Sequence, residues 1–402
     1  MRDKIVLAYS GGLDTSVSIK WIQEKYDVDV ITMTVDVGQG SNLKDIEEKA
    51  KIIGAIKHYS IDAKEEFVKN YIFHAIKANA LYEGKYPMSA ALSRPLIASK
   101  LVEVAKKECA IGVAHGCTGK GNDQVRFDVT IKSLEPNLRI IAPIREWNLS
   151  RDEEVKYAKE NKIPLVFEKN KVYSIDQNLW GRSIESGPLE DPSNEPPEDA
   201  FEWTESPESA LNEPEYLTIN FREGIPYAIN GETLEAVALI EKLNNVAGKH
   251  GIGRIDHMED RLIGIKSREV YECPAATVIL EAHKDLEKTV LTKHELSFKK
   301  LVDDQWTFLV YSGLWMEPLK EALEVFIDKT QERVLGKVKV KLYKGSLRVV
   351  GRSSPMSLYD LKLATYESST TFDQTWSTGF IELWGLPTRA ANILKRNREK
   401  RY

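Results

Sequence analysis

Short, uninterrupted apolar runs alternate along the first part of the chain with stretches whose apolar positions recur every three or four residues. Lys4-Ile5-Val6-Leu7-Ala8-Tyr9 has the pattern of a buried strand, and Val17, Trp21 and Ile22 then recur at helical spacing. The same reading predicts a strand at 28–35, a helix around 42–53, a strand at 56–61, a helix from Lys64 and another over 95–107. Strands at 109–114 and 138–142 follow, separated by a loop and a helix near 124–134. Strands alternating with helices at this spacing imply a parallel sheet covered on both faces. Ligands of such sheets bind beyond the carboxyl ends of the strands, where the strand order reverses. The loops after the first strand and after Ala114 are expected to open there.

Around Ser183 the texture changes. Between Gly187 and Pro214, Pro188, Pro192, Pro196, Pro197, Pro207 and Pro214 stand among many acids, a composition that by itself reads as a flexible linker. Phe201 and Trp203 point instead to a surface excursion tacked down by aromatics, so both readings stand at this level. Beyond it come a hairpin of 217–221 and 225–229 around Arg222-Glu223-Gly224, and a helix over 234–246 stopped near Gly248 and Gly251. Helices near 275–291 and 318–335 and a hairpin of 337–343 and 346–350, turned at Lys344-Gly345, complete a mixed α+β region. The last stretch, 388–402, permits a helix and holds Arg389, Lys395, Arg396, Arg398, Lys400 and Arg401, as a solvated or subunit-gripping tail would. The expected fold class is α/β: a Rossmann-like parallel-sheet domain over 1–166, an α+β domain over 167–365 and a C-terminal helical tail over 366–402.

Composition narrows the function classes. With 402 residues, 42% of them hydrophobic, the chain can bury two or three cores, and a net charge of −5 supplies no basic field for nucleic acid. Cys109, Cys117 and Cys273 form no CxxC pair, which leaves no thiolate metal site and fits a reducing compartment, so a cytoplasmic protein is expected. No apolar run approaches membrane-spanning length and no targeting signal is expected; no membrane partner follows.

The chemistry is concentrated in two loops. In Ala8-Tyr9-Ser10-Gly11-Gly12-Leu13-Asp14-Thr15-Ser16 the two glycines remove the Cβ atoms that would block a phosphate, while Ser10, Thr15 and Ser16 bring hydroxyls to the unpaired amides of a helix start. Asp14 is the unusual member. A carboxylate in an anion cradle makes sense as a helix cap, or where a divalent cation or an amine stands between it and the phosphates. Walker A loops place Lys and Ser or Thr after the glycines and are a different pattern. Ser-Gly-Gly-x-Asp-Ser/Thr-Ser resembles the PP-loop of the ATP pyrophosphatases, which cleave ATP between its α- and β-phosphates.

The second loop, His115-Gly116-Cys117-Thr118-Gly119-Lys120-Gly121-Asn122-Asp123-Gln124-Val125-Arg126, also lies between a strand and a helix. Thr118, Asn122, Asp123 and Arg126 provide donors and acceptors suited to an amino acid's carboxylate and ammonium. Lys120 is followed by Gly121 and lacks the Walker spacing. Taken singly, Tyr86 and Tyr271 read as ordinary half-buried tyrosines, Glu259 as a solvated acid and His115 as a hydrogen-bonded loop histidine.

Tyr9–Ser16 and His115–Phe127, with Tyr173–Trp180 and Glu259–Glu272, together resemble the argininosuccinate synthase family over nearly the whole chain. The resemblance implies ATP-dependent condensation of citrulline with aspartate through a citrullyl-adenylate, giving argininosuccinate, AMP and pyrophosphate, with Mg2+ as cofactor. It implies that Ala8, Tyr9, Ser10, Gly11, Gly12, Leu13, Asp14, Thr15 and Ser16 hold ATP, with Gly116 near the nucleotide. Ser10, Asp14 and Lys120 are the expected catalytic residues, and no metal ligand is singled out. Thr118, Asn122 and Asp123 correspond to the aspartate grip. Tyr86, Asn122, Arg126, Ser174, Ser183, Glu259 and Tyr271 correspond to the citrulline site, and a homotetramer is implied. Where some relatives carry a citrulline-facing serine, this chain has Ala91. Two rival readings are another PP-loop enzyme, which would want paired cysteines or a glutamine-hydrolysing domain absent here, and an ATP-sensing binding protein.

Overall fold

A computed structural model describes residues 2–147, 151–164 and 172–400. The division expected between 166 and 167 lies outside the described residues. Two compact units are present, Met1–Met356 and Ser357–Tyr402.

In the first unit, β1 (Lys4–Ala8), β2 (Asp29–Asp36), β3 (Lys57–Asp62), β4 (Gly112–Ala114) and β5 (Arg139–Ile141) form a parallel sheet in the order β3-β2-β1-β4-β5. The central strand shows why. Ile5 and Leu7 point into one core with Val17, Ile19 and Ile22, whereas Val6 points into the other with Phe67, Leu96 and Val113. A strand apolar on both faces is stable only with helices on both sides. β1 lies between β2 and β4, so the chain reverses direction across the sheet between β1 and β4, and the loops after these two strands open side by side as expected.

Two boundaries differ from the pattern. The helix expected from Pro95 starts at Ser89 and carries Pro95 inside it; burial of Ala91, Leu92 and Leu96 offsets the one ladder bond that proline removes. The strand expected over 109–114 keeps only Gly112–Ala114, because Cys109 takes a positive φ of 51° and turns the chain. Helix Ala236–Lys249 ends between Gly248 and Gly251, as expected, and the bare Gly248 makes room for the Trp203 carbonyl oxygen, from which a Cβ would lie only 2.0 Å.

The same unit continues with antiparallel strands β6 (Ser174–Asn178), β7 (Gly181–Glu185), β8 (Glu215–Arg222), β9 (Ile225–Ile229), β10 (Glu232–Thr233), β11 (Arg254–Asp260), β12 (Lys266–Glu272), β13 (Gly336–Tyr343) and β14 (Ser346–Ser353). They form a four-stranded sheet, β11-β12-β7-β6, and a five-stranded one, β10-β9-β8-β13-β14. Both predicted hairpins are present, with positive φ at Glu223 and Gly224 and at Lys344 and Gly345. Two such residues in a two-residue loop match the right-handed twist of paired strands. Helices Pro274–Val290 and Pro318–Gln331 were legible; Lys293–Tyr311 was not anticipated. Its signal was present, because Thr292 and Glu295 form a reciprocal capping box.

The proline- and acid-rich stretch follows a defined path over the surface, as the excursion reading had it, but its main fastener is a buried carboxylate. Glu272 accepts the backbone N–H groups of Trp203 (2.8 Å) and Thr204 (2.9 Å), the Thr204 hydroxyl (2.8 Å) and Arg182 Nη1 (2.7 Å). Phe201 adds its ring beneath the Arg254 guanidinium at 4.0 Å.

The second unit consists of helices Leu361–Ala364, Trp376–Trp384 and Leu386–Glu399, none of which buries a residue. Among the described residues no helix is long and apolar enough to cross a membrane.

Candidate active site

A cleft of about 940 Å³ opens beyond the carboxyl ends of β1, β2 and β4 and is closed on its other side by residues of β6, β7, β11 and β12. The two loops touch inside it: a Cβ on Gly116 would lie 2.8 Å from Thr15 Cγ2. Gly11 has φ +80°, and a Cβ there would meet Ile46 Cγ1 at 3.3 Å. Ser10 Oγ and Thr15 Oγ1 share a hydrogen bond of 3.1 Å at the loop's mouth. Asp14 borders the cleft, and its carboxylate has no hydrogen-bond or ion-pair partner among the described residues.

Ser16, expected among the residues that hold ATP, and Lys120, expected to be catalytic, do not line the cleft. Ser16 is buried and does not border the cleft; its Oγ lies 3.1 Å from the Tyr9 hydroxyl, itself buried, so Tyr9 meets the cleft through its backbone side. Lys120 is exposed and outside the cleft's lining, with its carbonyl facing Arg261 at 3.4 Å.

The second loop is held by a histidine. His115 Nδ1 accepts the Cys117 N–H at 3.2 Å, which leaves Nε2 to donate to Asp128 at 2.7 Å; Asp128 also accepts Arg145 at 2.8 Å. Beyond it, Asp123 accepts Arg94 Nε and Arg126 Nη1, each at 2.8 Å, and the other end of the Arg94 fork binds Asp176 on β6. Burial pushes the Asp123 carboxyl up, but the two guanidinium groups outweigh it and hold the group at about 2. Asp176 shares only Arg94 and is shifted upward by burial. Arg126 is 3% exposed, donates through Nε to the Tyr311 carbonyl at 3.0 Å, and keeps Nη2 buried without a partner at the cleft wall. Such a donor calls for an acceptor from a ligand.

Tyr86 and Tyr271 are fully buried and stacked with ring centroids 4.1 Å apart, unlike the half-buried tyrosines their local sequence suggests. Glu259, 3% exposed and no solvated acid, accepts the Tyr271 hydroxyl at 2.7 Å and the Tyr311 hydroxyl. Asn122 donates to Tyr311 Oη at 2.8 Å and accepts the Leu262 N–H at 2.9 Å, so its amide ties the second loop to the β11–β12 connection. Ser174 and Ser183 lie on the paired strands β6 and β7 and both border the cleft. At the departure from the relatives' serine, Ala91 packs into the core while its neighbour Ala90 borders the cleft.

Sequence reasoning passed over Arg94, Asp176, Glu185, Arg261, Glu269 and Tyr311. Asp176, Arg261 and Glu269 stand within the stretches that carry the family resemblance and Glu185 lies five residues beyond one, whereas Arg94 lies outside them. Burial in the cleft wall and the neighbouring Glu269 raise the Glu185 carboxyl to about 7, against the pull of Arg261. Tyr311 ends the helix that was not anticipated.

Among the described residues no group of three or more His, Cys, Asp or Glu side chains is placed to hold a metal ion.

A parallel sheet with a glycine-rich cradle at its switch point, facing an amino-acid-sized polar wall, defines an ATP-using enzyme of the PP-loop type. Residues 4–164 match the family model described as Arginosuccinate synthase N-terminal HUP domain, and residues 173–391 match the Arginosuccinate synthase C-terminal domain. The argininosuccinate synthase of Pyrococcus furiosus is 61% identical over 95% of this chain and 93% of its own length. Those of Dictyoglomus turgidum (58%, covering 96% of each chain) and Anoxybacillus flavithermus (55%, covering 99% and 98%) are similar throughout. The chain belongs to the argininosuccinate synthase family, the ligases that form argininosuccinate, AMP and diphosphate, and its activity is ATP-dependent citrulline–aspartate ligation in arginine biosynthesis.

Proposed function

We propose that the two loops divide this reaction between them, with the phosphates held at Ser10–Thr15 and the amino acids held between the second loop and the antiparallel sheet. The observation that carries the reading is the meeting of both loops and four antiparallel strands in one 940 Å³ cleft. A ureido carbon is a poor electrophile, because two nitrogens donate into its carbonyl, and its oxygen is a poor leaving group. Attack by that oxygen on the α-phosphorus, with pyrophosphate departing, turns the oxygen into part of AMP; the aspartate amine then forms the new C–N bond as AMP leaves. Positioning and charge stabilisation supply most of the rate.

Arg126, with its unpartnered Nη2, is assigned to a carboxylate of citrulline, and Glu259 with Tyr86, Tyr271, Ser174 and Ser183 to the rest of that substrate. Thr118 and Asp123 are assigned to aspartate. The Asp14 carboxylate, unpartnered at the cradle, fits a Mg2+ ion carried on the phosphates, where the ion would neutralise the charge that develops on pyrophosphate. Ser10 and Thr15 would hold the phosphate oxygens themselves. Lys120 receives no role in chemistry from this geometry.

We also infer a cytoplasmic homotetramer, supported by three free cysteines and by a C-terminal unit whose apolar side chains, Trp376, Phe380, Ile381, Leu383 and Trp384, are all exposed in the single chain. The test of the mechanism is citrulline labelled with 18O in the ureido group: the label should appear in the AMP phosphate. Its appearance in pyrophosphate or its release into water would overturn attack by the ureido oxygen on the α-phosphorus.

A further inference from the structure

Behind the first loop stands a lysine that the reading above does not use. Lys49, on helix Leu43–Ile53, places Nζ 2.6 Å from the Gly11 carbonyl oxygen. No carboxylate pairs with it among the described residues, and burial pushes its amine below the usual lysine range. Ile46, one turn earlier on the same helix, is the side chain that a Cβ on Gly11 would meet at 3.3 Å. Two residues of one helix face therefore fix the same peptide. A half-buried ammonium satisfied only by a loop carbonyl costs solvation, and a nearby anion would repay it.

The peptide's planarity gives this contact a consequence. C=O and N–H of a trans peptide point in opposite directions, so with the Gly11 oxygen turned to Lys49 the Gly12 N–H is turned away from it. On that side lie the cleft, which Gly12 borders, and Ser10 Oγ at 3.3 Å. We propose that Lys49 is a positioning residue for the departing pyrophosphate, locking the Gly11–Gly12 peptide with its N–H toward the phosphates and adding a positive charge behind the loop. The proposal rests on the reading that this loop holds the phosphates of ATP.

Three variants separate the two. Lys49→Met keeps the length and removes the charge; Lys49→Arg keeps the charge; Ser10→Ala reports on the loop itself. The measurements are the KM values for ATP, citrulline and aspartate, inhibition by added pyrophosphate against ATP, and thermal melting. Lys49→Met should raise both the KM for ATP and the pyrophosphate inhibition constant about tenfold, with the amino-acid KM values and the melting temperature unchanged, and Lys49→Arg should stay close to the parent. If Ser10→Ala weakens ATP while Lys49→Met does not, the loop reading stands and the role of Lys49 is wrong. If Lys49→Met shifts all three KM values together with the melting temperature, or if the Met and Arg variants behave alike, the residue is structural and the proposal is overturned. If neither Ser10→Ala nor Lys49→Met changes ATP or pyrophosphate binding, the loop reading itself fails and takes the proposal with it.

Discussion

Arg126 Nη1 donates to the Asp123 carboxylate at 2.8 Å, so the residue assigned to citrulline and a residue assigned to aspartate are joined one helical turn apart. The two amino-acid grips are thus coupled at Asp123 and independent at Thr118, which has no such bond to Arg126. Thr118→Val should raise the aspartate requirement and spare the first half-reaction, whereas Asp123→Asn, which loosens both Arg94 and Arg126, should lower both. Citrulline-dependent exchange of labelled pyrophosphate into ATP without aspartate reads the first step alone. An equal fall in exchange and in net synthesis for Thr118→Val would remove it from the aspartate grip.

Asp14→Ala should lower turnover at least tenfold at saturating ATP and magnesium, with the fold intact, since a charge-assisted contact contributes about 1.5–3 kcal/mol. No hydrogen bond or ion pair among the described residues depends on that carboxylate, which makes a nearly unchanged melting temperature part of the expected result. Near-parental activity would mean that the acid does not act at the phosphates.

Two serines of the first loop should separate function from packing. Ser16→Ala leaves the buried Tyr9 hydroxyl without its partner and should cost roughly 1–3 kcal/mol of stability, with little change in the KM for ATP. Ser10→Ala should do the reverse. Chemical denaturation and initial-rate kinetics on both variants decide it, and an ATP defect in Ser16→Ala would contradict the placement.

At the opposite edge of the parallel sheet, Glu108 accepts Lys57 (2.5 Å), Tyr59 (2.5 Å) and Lys4 (3.1 Å), and these bonds lower its carboxyl from 4.5 to about 2. Because the folded value lies below the unfolded one, the contribution is present above about 4.5 and is lost as the pH falls through about 2. Glu108→Gln should cost about 1 kcal/mol at neutral pH, reduced by the exposure of its lysine partners to water, and should flatten the acid limb of the stability curve. Activity at neutral pH should not change.

Removal of 357–402 should lower the assembly state, measured by light scattering, because every large apolar side chain among the described residues of this unit is exposed in the single chain. An unchanged mass would leave the tail without a role in assembly.

The sequence by itself determined the parallel sheet, the order of its loops and the glycine-rich turn after the first strand. These are local properties: continuous apolar runs make strands buried on both faces, and Ser10, Gly11, Gly12 and Asp14 stand together in the chain. Only the tertiary structure decided which residues meet across the cleft. Arg94 reaches both Asp123 and Asp176, and Tyr311 joins Asn122 to Glu259, through contacts between segments far apart in sequence, which no local pattern encodes. It also moved Ser16 into the core and Lys120 into solvent, although both stand inside the motifs, because a motif fixes residue order and the packing of the loop fixes which side each residue faces. The acid-rich excursion makes the same point: its composition reads as a linker, and one buried carboxylate, Glu272, supplies the acceptors that hold its backbone in place.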